Sequence, residues 1–202
     1  MSREEAKIVP QRRGEAHLHE GCVTSGKTSS VMAAVAKKSY SHSVVLIKYA
    51  KDKRLGDAVT VVSQGGISLA SSEKTADQGS VRIISVDRLA EVKLSEEERT
   101  VGIDEGQFIP DLVEFVLKWR LEGRNIVIAA LNGDFEKKVW PVIADLGPHC
   151  DKRYLHLAIC ACCKEETAIY SKLIAIPPTA GKENIGGKEL YSPRCPYCWD
   201  LP

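Results

Sequence analysis

The sequence predicts an α/β fold whose central sheet is mainly parallel. Apolar segments alternate with amphipathic ones along residues 15–150, which is the order expected for strands and covering helices. The chain has 202 residues, of which 44% are hydrophobic, so it can bury a full core. The pattern changes after residue 150, and we expect a small second unit over residues 151–202, with residues 1–14 as a loose leader.

Apolar and β-branched runs predict the strands of the sheet. Residues 43–49 and 125–131 are apolar enough to be buried on both faces. Shorter strands are expected at residues 81–84 and 100–105, the second of which ends in two carboxylates. Residues 15–20 carry two histidines and two glutamates, so they are more polar than a typical central strand.

Helical periodicity predicts helices at residues 27–38, 110–122 and 140–146. Residues 55–79 are rich in Gly, Ser, Asp and Gln, and we expect a long irregular connection or a mobile flap there. Its one β-prone patch lies at residues 59–62. The predicted elements therefore alternate strand and helix on both sides of one long connection.

One run fulfils every fixed position of the motif G-x-x-x-x-G-K-[ST]. Glycines at its two ends let successive backbone N–H groups surround a phosphate, and the helix that follows adds its positive end. In this motif Lys27 reaches the β- and γ-phosphates and the Thr28 hydroxyl binds magnesium. The sequence therefore predicts a nucleoside triphosphate site, with an ordinary Gly/Ser-rich turn as the alternative. The motif comprises Gly21, Cys22, Val23, Thr24, Ser25, Gly26, Lys27 and Thr28.

Two adjacent carboxylates follow the apolar strand at residues 100–103. A magnesium ion beside a phosphate-binding loop needs a carboxylate from a neighbouring strand end, and Asp104 is the candidate. Glu105 is a candidate general base, because a carboxylate near the reacting phosphate can take a proton from a substrate hydroxyl. The alternative is a solvated acidic pair without a chemical role.

Seven cysteines in a reducing compartment point to metal rather than disulfides. Two C-x-x-C pairs supply the four thiolates of a structural zinc site, which would tie off the long loop between them. Redox activity is the competing interpretation. We interpret Cys22, Cys150 and Cys162 as ordinary thiols. The predicted zinc ligands are Cys160, Cys163, Cys195 and Cys198.

The charge balance is nearly neutral, with 28 basic and 27 acidic residues and a formal net charge of +1. This gives little support to a zinc-ribbon nucleic-acid binder, and we expect no nucleic-acid partner. The charged N-terminal residues 1–7 resemble neither a secretory signal nor a transit peptide. No apolar run reaches membrane-spanning length, so we expect a cytoplasmic protein without membrane contact.

In this combination and order, the motifs resemble the P-loop (type II) thymidine kinase family of cellular and viral thymidine kinase 1-like enzymes. These enzymes phosphorylate deoxythymidine on its 5′-hydroxyl. The resemblance covers nearly the whole chain, from about residue 14 to residue 199. It is carried by residues 21–28, 48–54, 102–108 and 130–135 and by the cysteine pairs that enclose Ile185-Gly186-Gly187.

The resemblance implies a P-loop NTPase (RecA-like) core with a small C-terminal zinc-binding lasso domain that closes over the nucleoside. It makes Glu105 the general base, and it places Thr28 and Asp104 beside magnesium. It also implies ATP-Mg as co-substrate, a structural zinc ion and a homotetramer. The implied ATP and phosphate ligands are residues 21–28 with Asp52, Lys53, Arg54, Asp104 and Gln107. The implied nucleoside ligands are Phe108, Phe135, Lys182, Glu183, Asn184, Ile185, Gly186 and Tyr191.

Several positions depart from the family pattern. Cys22, Val23 and Thr24 stand where the family's phosphate loop reads Pro-Met-Phe, and Gln64 stands at the place of its usual histidine. The smaller Val23 leaves space in the base pocket, a mismatch of about 1–3 kcal/mol in binding. We therefore keep an alternative to the thymidine or deoxyuridine kinase, which is a degenerate non-catalytic subunit that binds nucleotide or a catalytic partner.

Overall fold

The computed structural model describes residues 13–52, 60–63, 66–175 and 185–201. The helices are α1 (Lys27–Ser39), α2 (Leu112–Leu121) and α3 (Pro141–Leu146). The strands are β1 (Ala16–Gly21), β2 (Ser43–Tyr49), β3 (Thr60–Val62), β4 (Ser68–Ala70), β5 (Val81–Val86), β6 (Glu98–Ile103), β7 (Asn125–Leu131), β8 (Lys152–His156), β9 (Ala158–Ile159), β10 (Glu166–Ala168), β11 (Tyr170–Leu173) and β12 (Tyr191–Arg194). Outside the described residues lie the leader up to residue 12 and the predicted site residues Lys53, Arg54, Gln64, Lys182, Glu183 and Asn184.

Six strands form the central sheet in the order β5-β2-β6-β7-β1-β8. All five neighbouring pairs are parallel. The predicted α/β class with a mainly parallel sheet is therefore confirmed. Because the strands are parallel, their carboxyl ends share one edge of the sheet, where loops from β1, β6 and β7 come together.

Helices cover both faces of this sheet. On one face α1 buries Val31, Met32 and Val35 against the strands. On the other face α2 and α3 pack into a larger apolar cluster. Gly102 makes the approach of α1 possible, because a Cβ there would lie 2.6 Å from Val35 Cγ2 and 2.8 Å from Leu46 Cδ1. The site-bearing edge thus rests on a sheet that is packed from both sides.

The polar segment at residues 15–20 does form a strand, and it lies inside the sheet between β7 and β8. Ala16 and Leu18 are fully buried, as a parallel strand requires. The polar side chains find partners on the neighbouring strand. His19 Nδ1 lies 2.8 Å from His156 Nε2, and its ring stacks on Tyr154 with centroids 4.7 Å apart. A strand with polar side chains is stable at this position because side chains of β8 make contacts with them.

Strand β8 carries the sheet past residue 150, where the sequence analysis placed the end of the core. The small antiparallel pairs β9-β10 and β11-β12 follow it. No α-helix is found after residue 150 in the described part of the chain, which agrees with the expected short strands and loops. The β-prone patch of the long connection forms β3, which pairs with β4 in an antiparallel hairpin.

In the residues that the structure describes, none of the helices is both long enough and apolar enough to span a membrane.

Candidate active site

The glycine-rich motif forms a tight turn between β1 and α1. A Cβ at Gly21 would lie 2.3 Å from the carbonyl oxygen of His156, so only glycine fits against β8. Gly26 has a φ of 86° at the start of α1, a left-handed conformation that glycine adopts without strain. Lys27 folds back and donates a 2.6 Å hydrogen bond from Nζ to the carbonyl oxygen of Cys22. The lysine ammonium is thereby held inside the turn.

Thr28 and Asp104 join this turn to the end of β6. The Thr28 hydroxyl donates a 3.0 Å hydrogen bond to Asp104 Oδ1. Burial, together with the nearby carboxylates of Glu105 and Asp52, raises the pKa of Asp104 to about 7, although the Thr28 hydrogen bond lowers it. A buried carboxyl group with negative neighbours is an environment that a cation would stabilise.

Glu105 follows directly and has a φ of 53° and a ψ of 40°. This left-handed conformation is strained for a residue with a side chain, and such strain is concentrated at functional sites. Glu105 lines the same cavity as Lys27 and Thr28. Gln107 lies behind it and does not line the cavity; its amide contacts Glu105 and the end of β7.

A cavity of about 260 Å³ brings most of the predicted site residues together. The predicted residues that line it are Val23, Thr24, Ser25, Gly26, Lys27, Thr28, Asp104, Glu105, Phe108, Phe135, Ile185, Gly186 and Tyr191. The sequence analysis did not single out Ser63, Leu131, Asp134, Trp140 or Ser171, which also line it. Of the predicted residues within the described ranges, Gly21, Cys22, Asp52 and Gln107 lie outside the lining.

Aromatic side chains form one wall of the cavity. Phe108 stacks on Tyr49 with ring centroids 5.4 Å apart and meets Trp140 edge-to-face at 5.3 Å. The indole Nε1 of Trp140 is the only buried side-chain nitrogen or oxygen without a hydrogen-bond partner in the described ranges. Its position at the start of the predicted helix at 140–146 gave no sign that it lines the cavity. A flat apolar wall of this kind suits a planar ring.

The C-terminal strands hold the phosphate-binding turn from the other side. Ser171 Oγ on β11 accepts a 3.1 Å hydrogen bond from the Val23 backbone N–H. The Cys22 thiol donates to the carbonyl oxygen of Ala168 at 3.3 Å. Sequence reasoning could not predict these contacts because about 150 residues separate the partners.

The four cysteines predicted as zinc ligands do come together. The Sγ atoms of Cys160, Cys163, Cys195 and Cys198 all lie within 4.8 Å of one another. Although burial opposes ionisation of Cys160, backbone N–H groups around it lower its pKa to about 6. Four clustered thiols, one of them already prone to ionise, fit a tetrahedral zinc ion. The cluster is therefore a possible zinc site.

Comparison with known proteins decides the family. The thymidine kinase family model matches residues 14–199, which is nearly the whole chain. The chain belongs to the thymidine kinase family. The resemblance inferred from the motifs is thereby confirmed, and membership in this family makes the chain an enzyme of the phosphotransferase type.

Individual relatives agree with the family match. Thymidine kinase 1 of Dictyostelium discoideum is 29% identical over 195 residues, which cover 96% of this chain and 81% of that protein. The cytosolic thymidine kinase of Bos taurus is 30% identical over 93% of this chain and 72% of its own length. The thymidine kinase of Yaba monkey tumor virus is 31% identical over 93% of this chain and 96% of its own. Cellular and viral thymidine kinases are thus similar along almost the full chain.

Proposed function

We propose that this protein transfers the γ-phosphoryl group of ATP to the 5′-hydroxyl of deoxythymidine, or of deoxyuridine, as a step of nucleotide salvage. The observation that carries the proposal is the Thr28–Asp104 hydrogen bond at the rim of a cavity that Glu105 also lines. It supports a site in which the proposed triphosphate-binding turn, the proposed cation ligand Asp104 and the candidate base Glu105 share one cavity. Thymidine kinase names among the relatives support the choice of nucleoside.

In the proposed reaction Lys27 and the backbone of residues 21–28 bind the phosphates of ATP. Thr28 and Asp104 would hold magnesium, which supplies positive charge to the phosphate oxygens when it is bound. Glu105 accepts the proton of the 5′-hydroxyl as its oxygen bonds to the γ-phosphorus. The bond between that phosphorus and the β-phosphate oxygen breaks, so ADP and the nucleoside monophosphate leave.

The nucleoside is proposed to lie in the aromatic half of the cavity. Phe108 and Phe135 offer flat apolar surfaces to the base, and Ile185, Gly186 and Tyr191 approach from the C-terminal side. Val23 contributes a small side chain to the same cavity. Asp52 stays a candidate for the ATP side, together with Lys53 and Arg54, which lie outside the described residues.

The non-catalytic alternative is not favoured. Its motive was the altered residues Val23, Thr24 and Gln64. Of these, Val23 and Thr24 belong to the proposed phosphate-binding turn, where a phosphate is bound mainly by backbone N–H groups, and Gln64 lies outside the described residues. The groups needed for the chemistry, Lys27, Asp104 and Glu105, all line the cavity. The departures are therefore better explained as changes in base recognition than as loss of catalysis.

Three further properties belong to the proposal. A zinc ion on Cys160, Cys163, Cys195 and Cys198 would fasten the C-terminal unit, residues 151–202, which closes over the nucleoside. We place the protein in the cytoplasm, in line with the cytosolic thymidine kinase of Bos taurus. We also expect a homotetramer, on the family resemblance, and light scattering of the purified protein tests this.

The test of the function is transfer of the γ-phosphate of magnesium-ATP to thymidine, followed as thymidine monophosphate. Lys27→Ala provides the blank, because it removes the ammonium group that contacts the phosphates. We expect product well above this blank with thymidine or deoxyuridine. If folded, zinc-loaded protein gave none with thymidine, deoxyuridine or deoxycytidine, the non-catalytic alternative would replace the proposal.

A further inference from the structure

Gln107 lies where the end of β6 meets the end of β7. It belongs to the short 3-10 turn Gly106–Phe108 and is only 4% exposed. Its Nε2 donates a 2.6 Å hydrogen bond to Glu105 Oε2. Its Oε1 accepts a 3.0 Å hydrogen bond from the backbone N–H of Leu131. One buried side chain thus connects the candidate base to the last residue of a central strand.

These two hydrogen bonds define the orientation of the Gln107 amide. A backbone N–H can only donate, so the group that faces Leu131 must be the carbonyl oxygen Oε1. The NH₂ group is then the one that faces Glu105, and it can only donate to the carboxylate. Because Leu131 ends a strand that is buried on both sides, the amide is anchored to a rigid part of the sheet.

Glu105 itself has a long side chain on a strained backbone, with a φ of 53°. A base must lie within hydrogen-bond reach of the proton that it removes, and an error of about 1 Å in such placement can cost 10²-fold in rate. A hydrogen bond from a fixed, buried donor restricts where the Glu105 carboxylate can lie. Gln107 does not line the cavity, so it can influence substrate only through the residues that its amide contacts, Glu105 and Leu131.

We propose that Gln107 is a positioning residue that holds the Glu105 carboxylate in place to accept the proton of the substrate's 5′-hydroxyl. The proposal rests on the proposed function, since it needs Glu105 as the base. It gives Gln107 a different role from the ATP contact that the family resemblance implied. Both hydrogen bonds of its amide, to Glu105 and from Leu131, are made to other residues of the protein.

The first test replaces Gln107 by Met, which has a similar length but neither donates to Glu105 nor accepts from Leu131. We expect kcat to fall about 10- to 100-fold, with the KM values for thymidine and ATP nearly unchanged. The matched control is Gln78→Met, because the Gln78 amide also makes a side-chain hydrogen bond, to Ser39 Oγ at 2.9 Å, but does not line the cavity. The control should keep the wild-type kcat.

A second variant separates positioning from loss of folding stability. Gln107→Glu keeps an acceptor for the Leu131 N–H but turns the donor towards Glu105 into a second carboxylate. Its kcat should therefore fall at least as much as that of Gln107→Met, although Gln107→Glu retains one of the two hydrogen bonds. A Gln107→Glu variant with wild-type kcat would overturn the proposal.

A double-mutant cycle with Glu105→Gln is the decisive measurement. When the base is absent its position no longer matters, so Gln107→Met should change the residual single-turnover rate less than about twofold in that background. An equal loss in both backgrounds would mean a general structural role and would overturn the proposal. Failure of the proposed function is distinguishable, because the wild-type protein would then make no thymidine monophosphate above the Lys27→Ala blank.

Discussion

The Thr28 hydroxyl donates a 3.0 Å hydrogen bond to Asp104 Oδ1 and so links the first turn of α1 to the end of β6. Strand β7 lies between β1 and β6 in the sheet, so this bond spans two strand positions at the carboxyl edge. It fixes the distance between the phosphate-binding turn and the acidic pair. The two parts of the proposed magnesium site are therefore in direct contact with each other.

Asp104→Asn should stabilise the nucleotide-free protein at alkaline pH. The pKa of Asp104 is raised from 3.8 to about 7, so between these values the folded state binds the proton that the unfolded state has lost. The free energy of unfolding therefore falls as the pH rises from about 4 to 7, by up to roughly 4 kcal/mol from this group. Asn does not titrate, so the free energy of unfolding of the Asn variant does not show this fall.

Urea unfolding at about pH 5 and about pH 8 checks this prediction. The free energy of unfolding of the Asn variant should exceed that of wild type by a larger amount at the higher pH. The variant should also lose its kinase activity. Glu73→Gln, at an exposed position, serves as the control and should leave the urea unfolding curves at both pH values unchanged. An Asn variant that is less stable than wild type at the higher pH would contradict the prediction.

Glu105→Gln should lose most of the turnover, because the amide cannot accept the proton of the 5′-hydroxyl. General-base catalysis contributes roughly 10²- to 10⁴-fold, and we expect a loss in that range. ATP binding, measured by calorimetry, should change little, because Lys27 and the backbone of the turn are untouched. Wild-type turnover in this variant would remove Glu105 from the role of base.

Ser171→Ala should destabilise the turn at residues 21–28, although the residues of the turn itself are unchanged. The Val23 N–H would lose its acceptor in a buried place, which costs about 1–3 kcal/mol. We expect lower resistance to urea and weaker ATP binding. Ser68→Ala on the exposed face of β4 is the control. Equal ATP affinity in Ser171→Ala and wild type would show that the C-terminal contact does not shape the turn.

The double variant Cys195→Ser, Cys198→Ser should lose about one equivalent of zinc, because two of four thiolate ligands are gone. It should also unfold at a lower temperature, since the metal fastens a region with little core of its own. Metal content by mass spectrometry checks this. Cys150→Ser, whose thiol lies outside the cluster, should keep its zinc. Fully active protein without metal would refute the site.

Gly102→Val should destabilise the fold by about 1–3 kcal/mol, because the added methyl groups would collide with Val35 and Leu46 between α1 and the sheet. Gly133→Ala is the control for stability, since its nearest neighbour would be the Lys138 carbonyl oxygen at an ordinary 3.4 Å. Thermal unfolding of both variants provides the comparison. A Gly102→Val protein as stable as wild type would mean that α1 moves away at no cost.

Local sequence patterns were enough to predict those features of the fold and site that depend on residues close together in the sequence. The turn at residues 21–28, the acids after β6 and the cysteine pairs each combine spacing and chemistry within a few positions. The meeting of the turn and the acids at one edge also follows from the predicted parallel sheet, because parallel strands have their carboxyl ends on the same side. These parts of the fold and of the candidate site could be predicted from the sequence.

Other features depend on partners far along the chain. The polar strand β1 looked atypical because the residues that satisfy it, Arg153, Tyr154 and His156, follow more than 130 positions later. The contact between Gln107 and Leu131 likewise depends on β6 and β7 being neighbours. No local pattern contains this information, since hydrogen bonding between distant strands is set by topology.

The place of β1 in the sheet has a consequence for protein synthesis. This strand leaves the ribosome long before both of its neighbours, which are β7, at Asn125–Leu131, and β8, at Lys152–His156. Until both have been translated, β1 exposes unpaired backbone groups on at least one edge. Strand β1 therefore completes its pairing only after the residues up to His156 have been translated.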